Sequence, residues 1–331
     1  MSWKKIIFAV LSSVILLLLV GLVGMWIWFT TTLPLEGEVK IHIRSGSSGR
    51  QIGHVLEEAG VINSVEAFRW AIWFRQAEQD LRSGTLRLES PISRWELVDE
   101  LRSKAPLLHT VQLREGWPSW KILPRLADEM ELPLEQFEQL FEEPEFIREL
   151  GLEADTLEGY LFPDTYRLAV DKEPEAVLER LAGRFKEIAR IQKLEERASE
   201  LGLSLHEAVT IASIIEREAR LDEERKKISA VFHNRLEDNM RLQADPTVLY
   251  ALGDFNTNLT YAQLRLDSPY NTYQNRGLPP GPICNPGLAS LIAAVEPADS
   301  EAKYFVARGD GSHVFSENYQ DHLEAVYQYQ R

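Results

Sequence analysis

The chain of 331 residues holds a single cysteine, Cys284. One thiol cannot close an intrachain disulfide or build a cysteine-based zinc site, so stability has to come from packing. Positive charge is also scarce. Lys and Arg number 36 against 51 Asp and Glu, a formal net charge of −15. An acid excess on that scale repels a phosphate backbone and argues against nucleic-acid binding. Several catalytic signatures are missing. His233, His313 and His322 lack the HExxH spacing, and there is no Cys/His cluster, so no metal site is expected. No G-x-S-x-G nucleophile elbow occurs. The GSSGR segment at 46–50 has neither the lysine nor the spacing of a phosphate loop. Cys284 stands between prolines with no obvious His partner and is read as inert. No lysine lies in a recognisable cofactor motif, which disfavours a pyridoxal-phosphate lyase; no cofactor is expected.

What is present is ordinary for a globular chain: 44% hydrophobic and 26% charged residues, enough for about two folded units. One long apolar run stands out. Residues 6–29, IIFAVLSSVILLLLVGLVGMWIWF, carry no charge. At about 1.5 Å per residue they span roughly 36 Å, against about 30 Å of bilayer hydrocarbon. Lys4 and Lys5 precede the run, and the first acids, Glu36 and Glu38, follow it. That asymmetry predicts residues 1–5 in the cytoplasm and the remainder outside. A cleaved signal peptide is the alternative, but its apolar core spans about 7–15 residues and ends in small side chains. This run is longer and ends in WIWF, so a single-pass anchor at 6–29 and a polar linker at 30–37 are expected.

Beyond the linker the sequence repeats itself. VKIHIRSGSSGRQIGHVLEE at 39–58 matches TVQLREGWPSWKILPRLADE at 110–129, with Ile41 on Val111, Arg44 on Arg114, Gly46 on Gly116 and Leu56 on Leu126. Each copy reads as an alternating strand, a glycine turn and a helix. Between the copies the pattern is mostly helical, with a strand-like TLRLES at 85–90. From 132 to 203 helical spacing dominates, broken by EGYLFPDTY at 158–166. After Met240 the chain becomes rich in proline and loop-like, and KYFVARG with HVFS reads as a closing hairpin.

The chemistry points to the helix SLHEAVTIASIIEREARL, 204–221. Ser204 and Glu207 form a capping box that fixes its start. An advance of about 100° per residue gives a broad apolar arc with Glu216 inside it and Glu218 near its edge, while His206, Thr210, Ser213 and Arg217 fall on a polar face. A carboxyl on a packed face is costly to ionise, which makes Glu216 a candidate general acid. Pairing with Arg217, Arg220 or another buried arginine is the competing reading. Glycoside cleavage commonly uses a second carboxylate. Asp245 could supply it, although an Asp before Pro246 also suits a helix start. The loops add Tyr160, Phe162, Tyr166, Tyr250, Tyr270 and Tyr273 with Gln243, Asn271 and Asn275, a composition suited to stacking on sugar rings and bonding their hydroxyls.

These motifs, namely EGYLFPDTY, IASIIEREA, FHNRLEDNMRLQADPTVLYALG, SPYNTYQNRGLPPGPICNPG and YFVARGDGSHVFS followed by His322, resemble in order the YceG-like (MltG) family of endolytic murein transglycosylases. The resemblance implies an α+β chain with a single N-terminal transmembrane helix, a small LysM-like α/β module at 38–131 and a mixed helical and β YceG-like catalytic domain at 132–331. It implies Glu216 as the catalytic residue, with Glu218 as fallback and substrate neighbour, and Gln243, Asn271, Tyr273 and Tyr160 as contacts to the sugar. The activity implied is lytic cleavage between N-acetylmuramic acid and N-acetylglucosamine of nascent strands to give 1,6-anhydro ends, limiting strand elongation at the outer face of the cytoplasmic membrane. Peptidoglycan strands, the membrane and peptidoglycan synthases are the implied partners, though no motif names a synthase. A non-catalytic glycan-binding scaffold is the alternative.

Overall fold

Uncharged, proline-free sequence after the lysines lets the backbone bond within one helix along its length, and α1 runs from Trp3 to Thr30. The computed structural model describes residues 3–33, 37–44, 46–170 and 172–330. Met1 and Ser2 of the expected cytoplasmic tip, Pro34 and Glu36 of the expected linker, and the side chains of Lys4 and Lys5 lie outside the described residues. The stretch Val10–Thr30 is long and apolar enough to cross a membrane, and its side chains are exposed from Val10 through Trp28.

The chain divides into two compact units, residues 1–109 with 168–171 and residues 110–167 with 172–331. After α1 the first unit runs β1 (Glu38–Ile43), α2 (Gly49–Glu58), α3 (Val65–Phe74), β2 (Gly84–Glu89) and α4 (Arg94–Ser103). β1 and β2 are antiparallel, with Ile41 opposite Leu86 and Val39 opposite Leu88. Alternation puts Ile41, Ile43, Leu86 and Leu88 on one buried face, against Ile52, Leu56, Phe68, Ile72, Leu97 and Leu101 from the helices. Caps fix the helix starts: Ser48 with Gln51 and Ser93 with Glu96 are reciprocal boxes. The start of the expected linker is docked. Leu33 is buried and donates its N–H to Ile92 O at 2.8 Å, and Thr32 bridges to Ser93.

The boundary between the units falls in β3 (Leu108–Gln112), which pairs with β4 (Thr165–Ala169). The strand-turn-helix pattern of the sequence repeat is present at both places, as β1 with α2 and as β3 with α5 (Ser119–Met130). The second unit continues with α6 (Leu134–Glu142), α7 (Pro144–Glu149), α8 (Pro174–Ile191), α9 (Leu194–Glu200), α10 (Leu205–Glu218), α11 (Arg225–Glu237), α12 (Asp245–Leu252), α13 (Leu288–Val295), the hairpin β5 (Tyr304–Ala307) and β6 (His313–Ser316), and α14 (Tyr319–Tyr329). The segment after Met240, read as loop-like, thus contains three α-helices and a 3-10 turn at Gln263–Arg265 among the described residues. Pro246 opens α12 at its first turn, where its missing N–H costs nothing, and Gly253 closes it in the left-handed region at φ 73°.

α10 differs from the amphipathic helix its periodicity suggests. Every residue from Ala208 to Ile215 is buried. Thr210 and Ser213, assigned to a polar face, are 1% and 0% exposed. They satisfy themselves locally: Thr210 Oγ1 donates to His206 O at 2.8 Å and Ser213 Oγ to Thr210 O at 2.7 Å. Ser213 Oγ also accepts the Ile283 N–H at 3.0 Å, which pins the proline-rich loop to the helix. The helix is a central one, and an apolar arc cannot single out one glutamate on it. Gly159 holds the EGYLFPDTY loop beside the same helix. At φ +87° a side chain would be strained, and a Cβ would meet Pro282 at 2.5 Å.

Candidate functional site

Glu216 and Glu218 sit in the last turn of α10, and their surroundings diverge. The Glu216 side chain is 7% exposed. Its Oε2 accepts from Arg225 Nη1 at 3.3 Å and from the Gly287 N–H at 3.1 Å. Arg225, itself buried, also bonds Ser290 Oγ at 2.5 Å and Asp222 Oδ1 at 3.0 Å. Glu216 therefore ties α10 to the start of α11 and to the N-cap of α13, the pairing anticipated as the competing reading. Glu115 crowds the same place: a Cβ on Gly287 would lie 2.0 Å from its Oε1. Burial first, and then the Glu216 charge, push the Glu115 carboxyl up.

Glu218, the last residue of α10, makes no hydrogen bond or ion pair through its carboxyl among the described residues. Burial, followed by the negative charge of Asp245, pushes it up to about 8; Arg235 and Arg217 pull the other way without prevailing. It lines a cleft of about 420 Å³ together with Arg235, Gln243, Asp245, Tyr273, His313 and His322. A carboxyl protonated at neutral pH, without a partner and facing open space, is equipped to give a proton to a ligand.

The other walls of the cleft are built from distant segments. Tyr273 OH donates to Asp245 Oδ1 at 2.6 Å. Gln243 sits at φ +49°, a left-handed conformation costly for a residue with a side chain, and its N–H is held by Thr272 O at 3.2 Å. Arg235 spends its guanidinium on the carbonyls of Lys303 at 2.6 Å and Leu242 at 2.6 Å, so the β-hairpin and the 241–245 loop are fixed to α11. His313 donates from its N–H and from Nδ1 to the Glu224 carboxylate at 2.9 and 2.7 Å. His322 stacks on Tyr304 at 5.1 Å, and its Nδ1 is buried with no hydrogen-bond partner among the described residues. Burial and the Arg235 charge push His322 down, so it is neutral near pH 7.

Of the residues singled out in the sequence, Glu218, Gln243 and Tyr273 come together in this cleft, and Asp245 joins them. Tyr160 does not. It is buried, sharing a 2.8 Å hydrogen bond with His206 Nδ1, while His206 Nε2 bonds Pro280 O at 3.0 Å. Asn271 is fully buried too. Its amide nitrogen serves Leu264 O and Leu266 O, and its oxygen accepts the Tyr273 N–H at 3.0 Å, so both ends are spent shaping its own loop. Tyr250 and Tyr270 pack together at 4.9 Å in a separate group with Trp120 and Phe255, which the composition of the loops had not included. The histidines and Arg235 were also missed. Their signal lay in HVFS for His313, in FHNRLED for Arg235 and in the YQDHLEAV segment for His322, but nothing local marks which side chains turn toward a cleft.

A second buried carboxyl, Glu158, accepts from Ser119 N–H and Oγ at 3.0 and 2.8 Å, from Asn285 Nδ2 at 2.9 Å and from Tyr250 OH at 3.3 Å. Burial pushes it up to about 7, against the pull of those donors. It joins the start of α5 to the EGYLFPDTY and ICNPG loops. Cys284 is fully buried, contacts Ser213 O at 3.4 Å, and is pushed up by burial, as an unreactive thiol would be. Among the described residues no group of three or more His, Cys, Asp or Glu could hold a metal.

The profile of the YceG-like family matches residues 41–328. The chain is 34% identical over 307 residues to the endolytic murein transglycosylase of Bacillus subtilis, covering 88% of this chain and 84% of that one. It is 29% identical over 356 aligned positions to the endolytic murein transglycosylase of Streptococcus pneumoniae, covering 96% of this chain and 64% of the pneumococcal one. A YceG-like protein of Listeria monocytogenes, solved by crystallography at 2.6 Å, is similar with a TM-score of 0.60 and 32% identity over 88% of this chain and 99% of that one.

Proposed function

Because this chain belongs to the YceG-like family, we propose that it is a lytic transglycosylase of peptidoglycan, with Glu218 as its proton donor. The observation that carries the assignment is the raised, unpartnered carboxyl of Glu218 in the cleft it shares with Asp245 and Tyr273. Glu216, favoured by the periodicity of the helix, is assigned instead to holding the site together through Arg225 and Gly287.

In this reading the glycan lies in the cleft with the muramyl–glucosaminyl bond at Glu218. The protonated carboxyl donates to the glycosidic oxygen as the C1–O bond breaks and positive charge grows on the muramyl ring. The resulting carboxylate then takes the proton of the muramyl C6 hydroxyl, whose oxygen closes on C1. The products are a free 4-hydroxyl on N-acetylglucosamine and a 1,6-anhydro muramyl end, with no water consumed. One carboxyl serves both steps because the nucleophile is tethered to the reacting carbon. Asp245, fixed by Tyr273, supports the protonated state of Glu218 beforehand and faces the cationic ring afterwards. Gln243 and Tyr273 are assigned to sugar contacts, and Asn271 and Tyr160 to shaping the loops that carry them.

α1 is read as the anchor, with the lysine-flanked end in the cytoplasm and both units on the outer side. The glycan-binding LysM-like region is placed within 38–131 and the catalytic domain within 132–331. Cleavage there limits the elongation of nascent strands, and peptidoglycan synthases are the expected neighbours.

Mass spectrometry of uncrosslinked nascent glycan after digestion tests the reading. Anhydro-muramyl ends are expected from the natural chain and from Glu216→Gln at reduced yield, and none from Glu218→Gln. Asp245 supports a second reading, since two carboxyls in one cleft also suit hydrolysis through water. Reducing muramic ends would identify that chemistry. Unchanged cellular function in Glu218→Gln would mean a scaffold.

A further inference from the structure

An exposed aromatic group on α3 of the first unit has no role in the cleft. On α3, Trp70, Trp73 and Phe74 fall at i, i+3 and i+4 and share one face, while Phe68, Ala71 and Ile72 face the core. Trp70 and Trp73 are 58% and 57% exposed. Two large indoles side by side in water are uncommon on a surface that nothing covers. They border a hollow of about 460 Å³ whose charged members are Glu66, Arg69 and Glu78.

Their position relative to α1 identifies the covering phase. Rings follow one another without a break from the helix end: Trp28 to Phe29 at 4.8 Å, Phe29 to Phe74 at 5.6 Å, Phe74 to Trp73 at 5.0 Å and Trp73 to Trp70 at 5.8 Å. The apolar stretch Val10–Thr30 has 21 residues, about 31 Å of helix, which matches the hydrocarbon thickness of about 30 Å. Its outer boundary therefore falls beside Phe29. Phe29 is itself 2% exposed and packed into the core of this unit. It also stacks on Trp95 at 4.2 Å. Arg94 fastens the junction, with its Nη1 on Trp28 O at 2.7 Å and its guanidinium over the Trp28 ring at 4.5 Å. These contacts hold the end of the helix against the unit, beside the α3 face.

We propose that the Trp70–Trp73–Phe74 face of α3 rests in the headgroup region of the same bilayer that α1 crosses, as a second, interfacial contact. Trp and Phe are suited to that layer, with ring faces toward the acyl chains and the indole N–H toward the headgroups. Arg69 lies beside the indoles to meet lipid phosphates. This inference rests on the anchor reading of α1.

The test uses the full chain in liposomes of phosphatidylethanolamine and phosphatidylglycerol. Nitroxides are placed by Trp70→Cys or Trp73→Cys, by Leu17→Cys within α1 and by Glu57→Cys on exposed α2; buried Cys284 is the sole native thiol. Power saturation compares collisions with oxygen, which enriches in lipid, and with a water-soluble nickel chelate. Labels at 70 and 73 are expected to show an oxygen-to-nickel ratio several-fold above that at 57, approaching that at 17. A ratio at 70 and 73 equal to that at 57, with 17 in lipid, overturns the inference and leaves the anchor standing. An aqueous ratio at 17 as well overturns both. Nickel access at 70 and 73 that falls only on adding glycan fragments would make the face a sugar site. Spin–spin broadening that dilution with unlabelled chain removes would make it an interface between copies. Either result overturns the proposal. As an unlabelled check, brominated lipid is expected to quench less of the indole emission in the Trp70→Phe, Trp73→Phe double variant than in the natural chain, and equal quenching counts against the interfacial contact.

Discussion

Glu216 and Glu218 are chemically identical and stand two residues apart, yet the protein treats them in opposite ways. Around Glu216 the fold gathers donors: a guanidinium, a backbone N–H at a helix start, and the elements they belong to. Around Glu218 partial burial disfavours the charge, and Asp245 adds a like one. The first arrangement binds helices together. The second favours the protonated carboxyl, which the proposed reaction uses as its donor. On the proposed assignment, two glutamates in the same turn are divided between scaffold and chemistry by what other segments bring to them.

The sharpest way to break this contrast is to exchange each acid for its amide. Glu218→Gln is expected to lower turnover of nascent glycan by at least about 10²–10⁴-fold, the usual worth of a general acid, without loss of folded chain. A larger loss in Glu216→Gln, with an unchanged melting curve, would invert the assignment. Next in size is Arg225→Ala, which strands Glu216 without its partner. A broken buried pair costs about 3–5 kcal/mol, read by denaturant unfolding, and Glu216→Gln in the same chain should recover part of it. An additive result would mean that the two side chains are uncoupled.

Proton linkage sharpens the comparison further. Because the Glu218 carboxyl is raised in the fold, from about 4.5 to about 8, the folded chain holds a proton that the unfolded chain releases across that window. This acid therefore lowers stability progressively as pH rises from about 4.5 to about 8, and no further above it. The stability of Glu218→Gln relative to the natural chain should grow over that range in thermal melts; a constant difference would place Glu218 in water. Turnover should likewise fall as pH rises through about 8, where the donor loses its proton. The smallest expected effect is that of Asp245→Asn. Removing the like charge lowers the Glu218 value, so the alkaline limb of the pH–rate profile moves to lower pH. A limb that stays in place would separate the two carboxyls.

Much of the architecture was legible because local sequence decides it. A charge-free stretch of more than twenty residues has to satisfy its backbone internally, and it forms α1. Ser48 with Gln51, Ser93 with Glu96 and Ser204 with Glu207 fix helix starts through bonds three residues long. The alternation of Ile41 and Ile43 marks a strand with one buried face, and the closing hairpin of residues 304–316 follows from its two short β-prone runs around a glycine turn. Two of the helices after Met240, α12 and α13, were hidden by Pro246 and Pro286, which stand at or just before their starts, where proline is tolerated.

The candidate site was legible only in part, for a related reason. Periodicity assumes that a helix has a wet side, and α10 has none along most of its length, so the arc drawn through Glu216 carried no information about a cleft. Asn271 and Tyr160 have the side chains of ligand contacts, but their polar atoms meet Leu266 O and His206 instead. What the amino-acid order determined by itself was which segments become helix, strand and membrane-length span, since those rest on bonds and patterns a few residues long. What tertiary structure alone decided was which partners each acid meets, because Arg225, Asp245 and Gly287 reach α10 from separate segments, and desolvation exists only once they have closed around it.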